Sequence, residues 1–305
     1  MRNIASLSPA DLTRNMLVRR VQDVFNDRVG GERPVVRSDN ALYPRGSVIW
    51  RVHGDVTTMM IGGVSALLLQ MLHPAALAGI WDHSSFRGDM LGRLRRTARF
   101  IALTTFGDRD DAQAAIARVA QVHMHVRGVL PDGTPYAASD PRLLAWVHVC
   151  EAVGFLDAWI AFGDPWMTRV DQDRYFAQTG QVARALGADP VPETRAQAEA
   201  LMQDFRSELV LDERTRAVAR MILTQPAQSI AMRPVQKTVM RAAVDILPDW
   251  AKAQHGFGRS RATRPLIRGG AYGIAHLLRW AFRQNGQSVS KEVLESFGGR
   301  TRART

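Results

Sequence analysis

Apolar residues return every three to four positions along most of this chain, the period of a helix with one buried face. The pattern predicts helices over 90–105, 111–127, 141–162, 172–187, 193–210, 213–224 and 271–284. Turn signals separate them, among them Pro131-Asp132-Gly133, Gly163-Asp164-Pro165 and Ala188-Asp189-Pro190. Strand-like alternation is scarce and no internal repeat is evident. From Val56 to Trp81 there are 26 residues without Asp, Glu, Lys or Arg, long enough to raise the question of a membrane span. Gly62-Gly63, Gln70 and His73-Pro74 interrupt the run, and a proline ends a helix that a bilayer would need to continue. The reading is therefore a buried core helix followed by a turn. Residues 1–45 read as a polar helical lead-in with a loop around Pro34 and Pro44. The expected architecture is all-α, a single large helical domain. Residues 1–47 form its lead-in, 48–255 its core and 256–305 a basic C-terminal helix and tail.

Composition adjusts this picture in three ways. With 305 residues, 46% apolar and 23% charged, the chain is globular and can bury a core large enough to enclose a cofactor. Cys150 is the only cysteine, which excludes an intrachain disulfide, a zinc ribbon and a cysteine-held iron–sulfur cluster, and suits a reducing compartment. The first twenty residues carry Asp11 and no continuous apolar stretch, so no secretory signal is read and a cytoplasmic location is expected. Charge is uneven: residues 233–305 hold fourteen Lys/Arg against four Asp/Glu, which is +10 of the net +11. Such a quarter can meet an anionic membrane or an acidic partner, or be a solvated surface. No nucleic-acid reading motif accompanies it, so nucleic acid is not an expected partner. On 271–284, Ile274, Ala275, Leu277, Leu278, Ala281 and Phe282 share one face, with His276, Arg279 and Arg283 opposite. That is the pattern of a peripheral membrane helix, and equally of a helix packed on its own core.

Candidate chemistry sits on three helices. On a helical wheel of 111–127, Ile116, Val119, Ala120, Val122, His123 and Val126 gather on one side and His125 falls opposite. His123 thus continues an apolar stripe, where it is either a hydrogen-bonded core histidine or a metal ligand. On 90–105, Leu91, Leu94, Ala98 and Ile101 form the buried arc, and Arg95, Arg96 and Arg99 lie away from it. Arg93 and Thr97, four residues apart, sit at the arc's margin, where they could act on bound oxygen or an anion. An arginine snorkelling from the core edge is the plainer alternative. The helix 141–162, apolar nearly all round, is central and carries His148 and Glu151 one turn apart. They read as a self-satisfied pair or as groups orienting a site. His53, His73 and His83 suggest a metal cluster only weakly, since their spacing matches no helical ligand motif. There is no GxSxG elbow, no GxGxxG loop and no GxxxxGK[ST] loop, which removes support for common hydrolase and nucleotide-dependent readings.

The order of these segments resembles the family of latex-clearing rubber oxygenases and fungal MpaB oxygenases. The residues that carry the resemblance begin with His53-Gly54-Asp55 and GGVSALLLQMLHPAALAGIWDHSSFRGD over 62–89. They continue with GRLRRTARF at 92–100, VHMHVRGVLPDGTPYAASDP at 122–141 and LLAWVHV at 143–149, with a weaker tail through Leu247-Pro248-Asp249-Trp250. The resemblance spans roughly 48–255. It implies an all-helical protein that holds haem b in an apolar pocket and acts with dioxygen on a small apolar substrate, one with an alkene or prenyl group. By the same resemblance His123 is the axial iron ligand, Arg93 and Thr97 flank the oxygen side, and His148 lies near the haem. One departure stands out. Rubber oxygenases have a distal glutamate upstream of the distal arginine, whereas Ala75 to Gly79 here offers no carboxylate, which puts polyisoprene cleavage in doubt. The alternative from another class is a non-catalytic basic helical protein that binds a membrane surface or an acidic partner.

Overall fold

Aspartates and threonines mark where the helices begin. In the computed structural model, which describes residues 35–84, 88–227, 229–258 and 264–283, the order opens with α1 (Val48–His53), α2 (Val56–Gln70) and α3 (Pro74–His83). Next come α4 (Met90–Phe106) and α5 (Arg109–His125), then a small hairpin of β1 (Arg127–Val129) and β2 (Pro135–Ala137). The chain continues through α6 (Pro141–Phe162), α7 (Arg169–Ala185), α8 (Arg195–Asp204) and α9 (Glu213–Leu223). It ends with α10 (Arg233–Ile246), α11 (Asp249–His255) and α12 (Arg264–Arg283). Asp55 opens α2 by accepting from Thr58 N at 2.9 Å, and Asp140 opens α6 by accepting from Leu143 N at 2.9 Å, with Pro141 in the first turn. These caps satisfy backbone donors that the first turn leaves orphaned. The lead-in helix expected within 1–45 lies outside the described residues apart from 35–45, which form turns and irregular chain.

The protein is all-α, as its periodicity predicts. Its centre is the antiparallel pair α2 and α6, whose backbones touch at two glycines. A Cβ added at Gly62 would come within 2.7 Å of Gly154 O, and one at Gly154 within 2.7 Å of Gly62 O. Absent side chains at the crossing let Leu68, Leu69, Trp146, Leu156 and Phe162 interleave around it, all buried. The apolar run 56–81 falls in two helices, α2 and α3, bent by 105° at the break before Pro74. His73 caps α3 by accepting from Ala75 N through Nδ1 at 3.2 Å, so Pro74 starts a helix where a turn was expected. α6 is long and apolar enough to cross a membrane, but 67% of its apolar window is buried inside the protein.

The C-terminal helix corrects an expectation. α12 packs on its own core through Ala271, Ala275 and Leu278, and Ala271 joins the same buried cluster as α2 and α6. Arg279, placed on the outer face by the helical wheel, points inward. Its Nε donates to Asp55 Oδ2 at 2.6 Å and its Nη2 to Phe162 O at 2.8 Å. One guanidinium thereby ties the start of α2 to the end of α6, and Leu277, assigned to the inner face, is 48% exposed instead. The buried ion pair rotates the helix away from the orientation that hydrophobicity alone selects.

Candidate functional site

α4 and α5 pack against one another across the two-residue connection Gly107-Asp108, forming a helical hairpin. Arg93 and Thr97 lie toward the open end of its first arm, and His123 lies in the last turn of its second. Both arms turn apolar arcs inward that the fold only half covers. Leu94, Ala98 and Ile101 on α4 are half-buried, and so are Val119, Ala120 and His123 on α5. Val122, expected on the inner stripe, is instead 56% exposed, and Met124 is 63% exposed. The last turn of α5 therefore presents more apolar surface than the protein itself covers.

Within that setting several polar groups are unclaimed. His123 Nδ1 is buried and has no hydrogen-bond partner; burial holds the ring below its ordinary pKa and thus neutral. His125 is the opposite case. It is exposed, and its Nδ1 donates to Gln121 O at 2.8 Å, a local bond that spends the ring within its own helix. His148 Nε2, on α6, is likewise buried without a partner, and burial, followed by the nearby Arg184 charge, pushes its pKa down to about 4. Arg93 is half-buried, and its guanidinium has no ion-pair or hydrogen-bond partner among the described residues. Burial pulls its pKa down to about 10, while the charge of Glu151 works the other way. Thr97, by contrast, is exposed. The structure thus gives Arg93, His123 and His148 unusual environments and gives Thr97 an ordinary one.

Glu151 does not pair with His148. Its Oε1 accepts from Gln70 Nε2 of α2 at 3.4 Å, and the charge it feels is that of Arg93. Gln70, which sequence reasoning treated only as an interruption of an apolar run, is fixed by donating also to Val147 O at 3.3 Å. The three histidines that weakly suggested a metal cluster go to separate structural tasks. His53 is bound at both ring nitrogens, Nδ1 to Thr105 Oγ1 at 2.8 Å and Nε2 to the Tyr175 hydroxyl at 3.0 Å. His73 caps α3 and approaches Glu208 at 3.4 Å, and His83 lies edge-on to Tyr136. No group of three or more His, Cys, Asp or Glu side chains is placed to hold a metal ion among the described residues.

These features define a class: a helical protein with half-covered apolar helix faces that carry imidazole and guanidinium groups unclaimed among the described residues. Its sequence gives it a family. Residues 50–280 match the catalytic domain of the ER-bound oxygenase mpaB/B′ and rubber oxygenase family, and the chain belongs to that family. It is therefore an oxygenase-family enzyme domain. No curated protein and no solved structure matches it.

Proposed function

We propose that the protein is a haem-b-dependent oxygenase that acts with dioxygen on a small apolar substrate, with His123 as the iron ligand. The observation that carries the reading is the coincidence, around one helical hairpin, of a neutral imidazole with a buried, unclaimed nitrogen and a half-buried guanidinium that has no partner among the described residues. Among the described residues side chains alone do not assemble a metal site, but a macrocycle that brings its own ring nitrogens asks the protein for one ligand, and a neutral imidazole suits that role. The half-covered arcs of α4 and α5 supply apolar walls for a flat, greasy cofactor and for an apolar substrate, which would complete their burial. Arg93 would meet either a carboxylate of the cofactor or an oxygen-bearing ligand, because a desolvated guanidinium gains most from a charge-assisted partner. Support for His148 near the cofactor is its orphaned Nε2, and for Thr97 on the oxygen side it is the resemblance alone.

Bound haem supplies an iron that binds and activates dioxygen; the chain supplies the axial nitrogen, apolar walls that exclude water, and a cation beside the reacting oxygen. Because Cys150 is the only thiol and is buried, a reducing, cytoplasmic setting is the location we propose. Contact with a membrane surface is a second reading. It rests on Leu266, 79% exposed, and Leu277 on the outer side of α12, within a basic quarter of the chain. Pyridine haemochrome analysis of protein expressed with adequate iron tests the first reading. Haem b at up to one equivalent, released without covalent linkage, is expected. A colourless protein that also ignores added hemin would refute it.

A further inference from the structure

Glu151 sits in the middle of α6, flanked by buried Val149, Cys150, Ala152 and Val153. Four shielded carboxylates of this protein are paired with arginines. Asp55 holds Arg279, Asp157 holds Arg195, Asp171 holds Arg51 and Asp245 holds Arg268. Glu151 has no cation within ion-pair distance among the described residues, and its one hydrogen bond is the 3.4 Å contact from neutral Gln70. Arg93 is the mirror image, a half-buried cation without a carboxylate partner among the described residues. The two feel each other's charge without closing the gap. Unlike the members of those four pairs, this acid and this base sense each other's charge without being joined, so each can take a polar ligand as partner.

We propose that Glu151 is the proton donor and acceptor of this site, acting on a small oxygen-bearing ligand held against Arg93. This rests on the reading of the surroundings of Arg93 as the active site. The step balances simply. The Glu151 carboxyl O–H breaks as a bond from that proton to a ligand oxygen forms, and the carboxylate left behind is steadied by Gln70 Nε2 and the Arg93 charge. The reverse transfer restores it. Burial pushes the Glu151 pKa up to about 7, with the Gln70 bond and then Arg93 restraining the rise, so both forms are populated near neutrality. Groups that share its surroundings come from several elements. They are Arg93 on α4, Tyr175 on α7, held by His53 of α1, and Cys150 on α6 itself; burial, with the Glu151 charge adding, keeps the Tyr175 and Cys150 acids neutral. Glu151 is thus the group in this set that changes charge around neutral pH.

The test has a cofactor-independent arm and a spectroscopic arm. With 13C-labelled glutamate, the Glu151 carboxyl resonance, assigned by its loss in Glu151→Gln, should titrate near pH 7 in the protein as isolated, and higher still in Arg93→Ala. In ferric haem-loaded protein, azide affinity read from the Soret band should fall by up to about tenfold per pH unit above neutrality, as the carboxylate forms and repels the anion. Glu151→Gln should flatten that profile, and Glu151→Asp should keep it with a moved midpoint. Titration at an ordinary carboxylate pH, indifference of the resonance to Arg93→Ala, or an azide profile unchanged in Glu151→Gln would each overturn the proposal. Failure to bind haem would sink the oxygenase reading, while the resonance and its response to Arg93→Ala would still decide this one.

Discussion

The α2–α6 pair and the α4–α5 hairpin are both built from amphipathic or apolar helices, yet they are finished differently. At the first, glycine meets glycine and the neighbouring Trp146 is both fully buried and hydrogen-bonded, its Nε1 donating to Gln70 O at 3.3 Å. At the second, apolar arcs are half covered, and among the described residues one buried imidazole nitrogen and one guanidinium have no partner. Packing of the first kind stabilises a fold. An arrangement of the second kind costs stability and is what a site that must accept a ligand looks like. The difference makes opposite predictions for substitutions in the two regions.

The largest expected effect is in the core. Trp146→Ala leaves a cavity where a fully buried indole stood, and should lower the unfolding free energy by about 4 kcal/mol in a urea titration. A loss below about 1 kcal/mol would show that the α2–α6 core is looser than the structure describes.

A slightly smaller and opposite effect is expected on the same helix at Glu151. Its pKa in the folded protein is raised from 4.5 to about 7, so folding binds the proton more tightly. Its penalty is absent below the unfolded value, and stability is lost as pH rises through the interval to about 7. Glu151→Gln should therefore stabilise the cofactor-free protein by at most about 3 kcal/mol at about pH 8, and leave it nearly unchanged at about pH 4. His53 and His148 act in the other direction. Their folded values are pushed down to about 3 and about 4, so their contribution is full above the ordinary histidine value and is lost as pH falls. The wild-type protein should be most stable near neutral pH.

Smaller again is the effect of Arg93, whose removal takes away a half-buried cation with no partner among the described residues. Arg93→Met should stabilise the cofactor-free protein by about 1 kcal/mol while changing the ferrous–CO spectrum of the haem-loaded form. Arg96, exposed and paired with Asp89 at 3.4 Å, is the control, and Arg96→Ala should match wild type in both respects. Thr97→Ala should move the CO spectrum in the same direction as Arg93→Met but by less. Indistinguishable spectra for the Arg93 and Arg96 variants would remove Arg93 from the site.

Much of this was legible in the sequence, and the failures have identifiable causes. Helices with long periodic faces and an Asp or Thr ahead of them were visible, and 141–162 matches α6 to the residue. α3 was missed because Pro74 was read as a stop, although proline also suits a first helical turn. α1, α10 and α11 went unread: α1 and α11 have two turns or fewer, and α10's apolar stripe is broken by Gln236, Lys237 and Arg241. The strands of the hairpin have three residues each, too few for alternation to show. At the site, the inward lean of His123 and the margin position of Arg93 followed from periodicity. What periodicity could not supply was the partner of each polar group. Arg279 turns inward because of Asp55, 224 residues away, and Glu151 is claimed by Gln70, 81 residues away, rather than by its helical neighbour His148.

The claim on which the rest depends is that the unclaimed imidazole, and not the satisfied one two residues later, holds the iron. His123→Ala and His125→Ala, each checked for helical content by circular dichroism, should be expressed with adequate iron and compared for haem occupancy by pyridine haemochrome. The account predicts that His125→Ala retains haem at the wild-type level and that His123→Ala loses it while staying folded. Haem lost from His125→Ala and retained by His123→Ala would contradict the account.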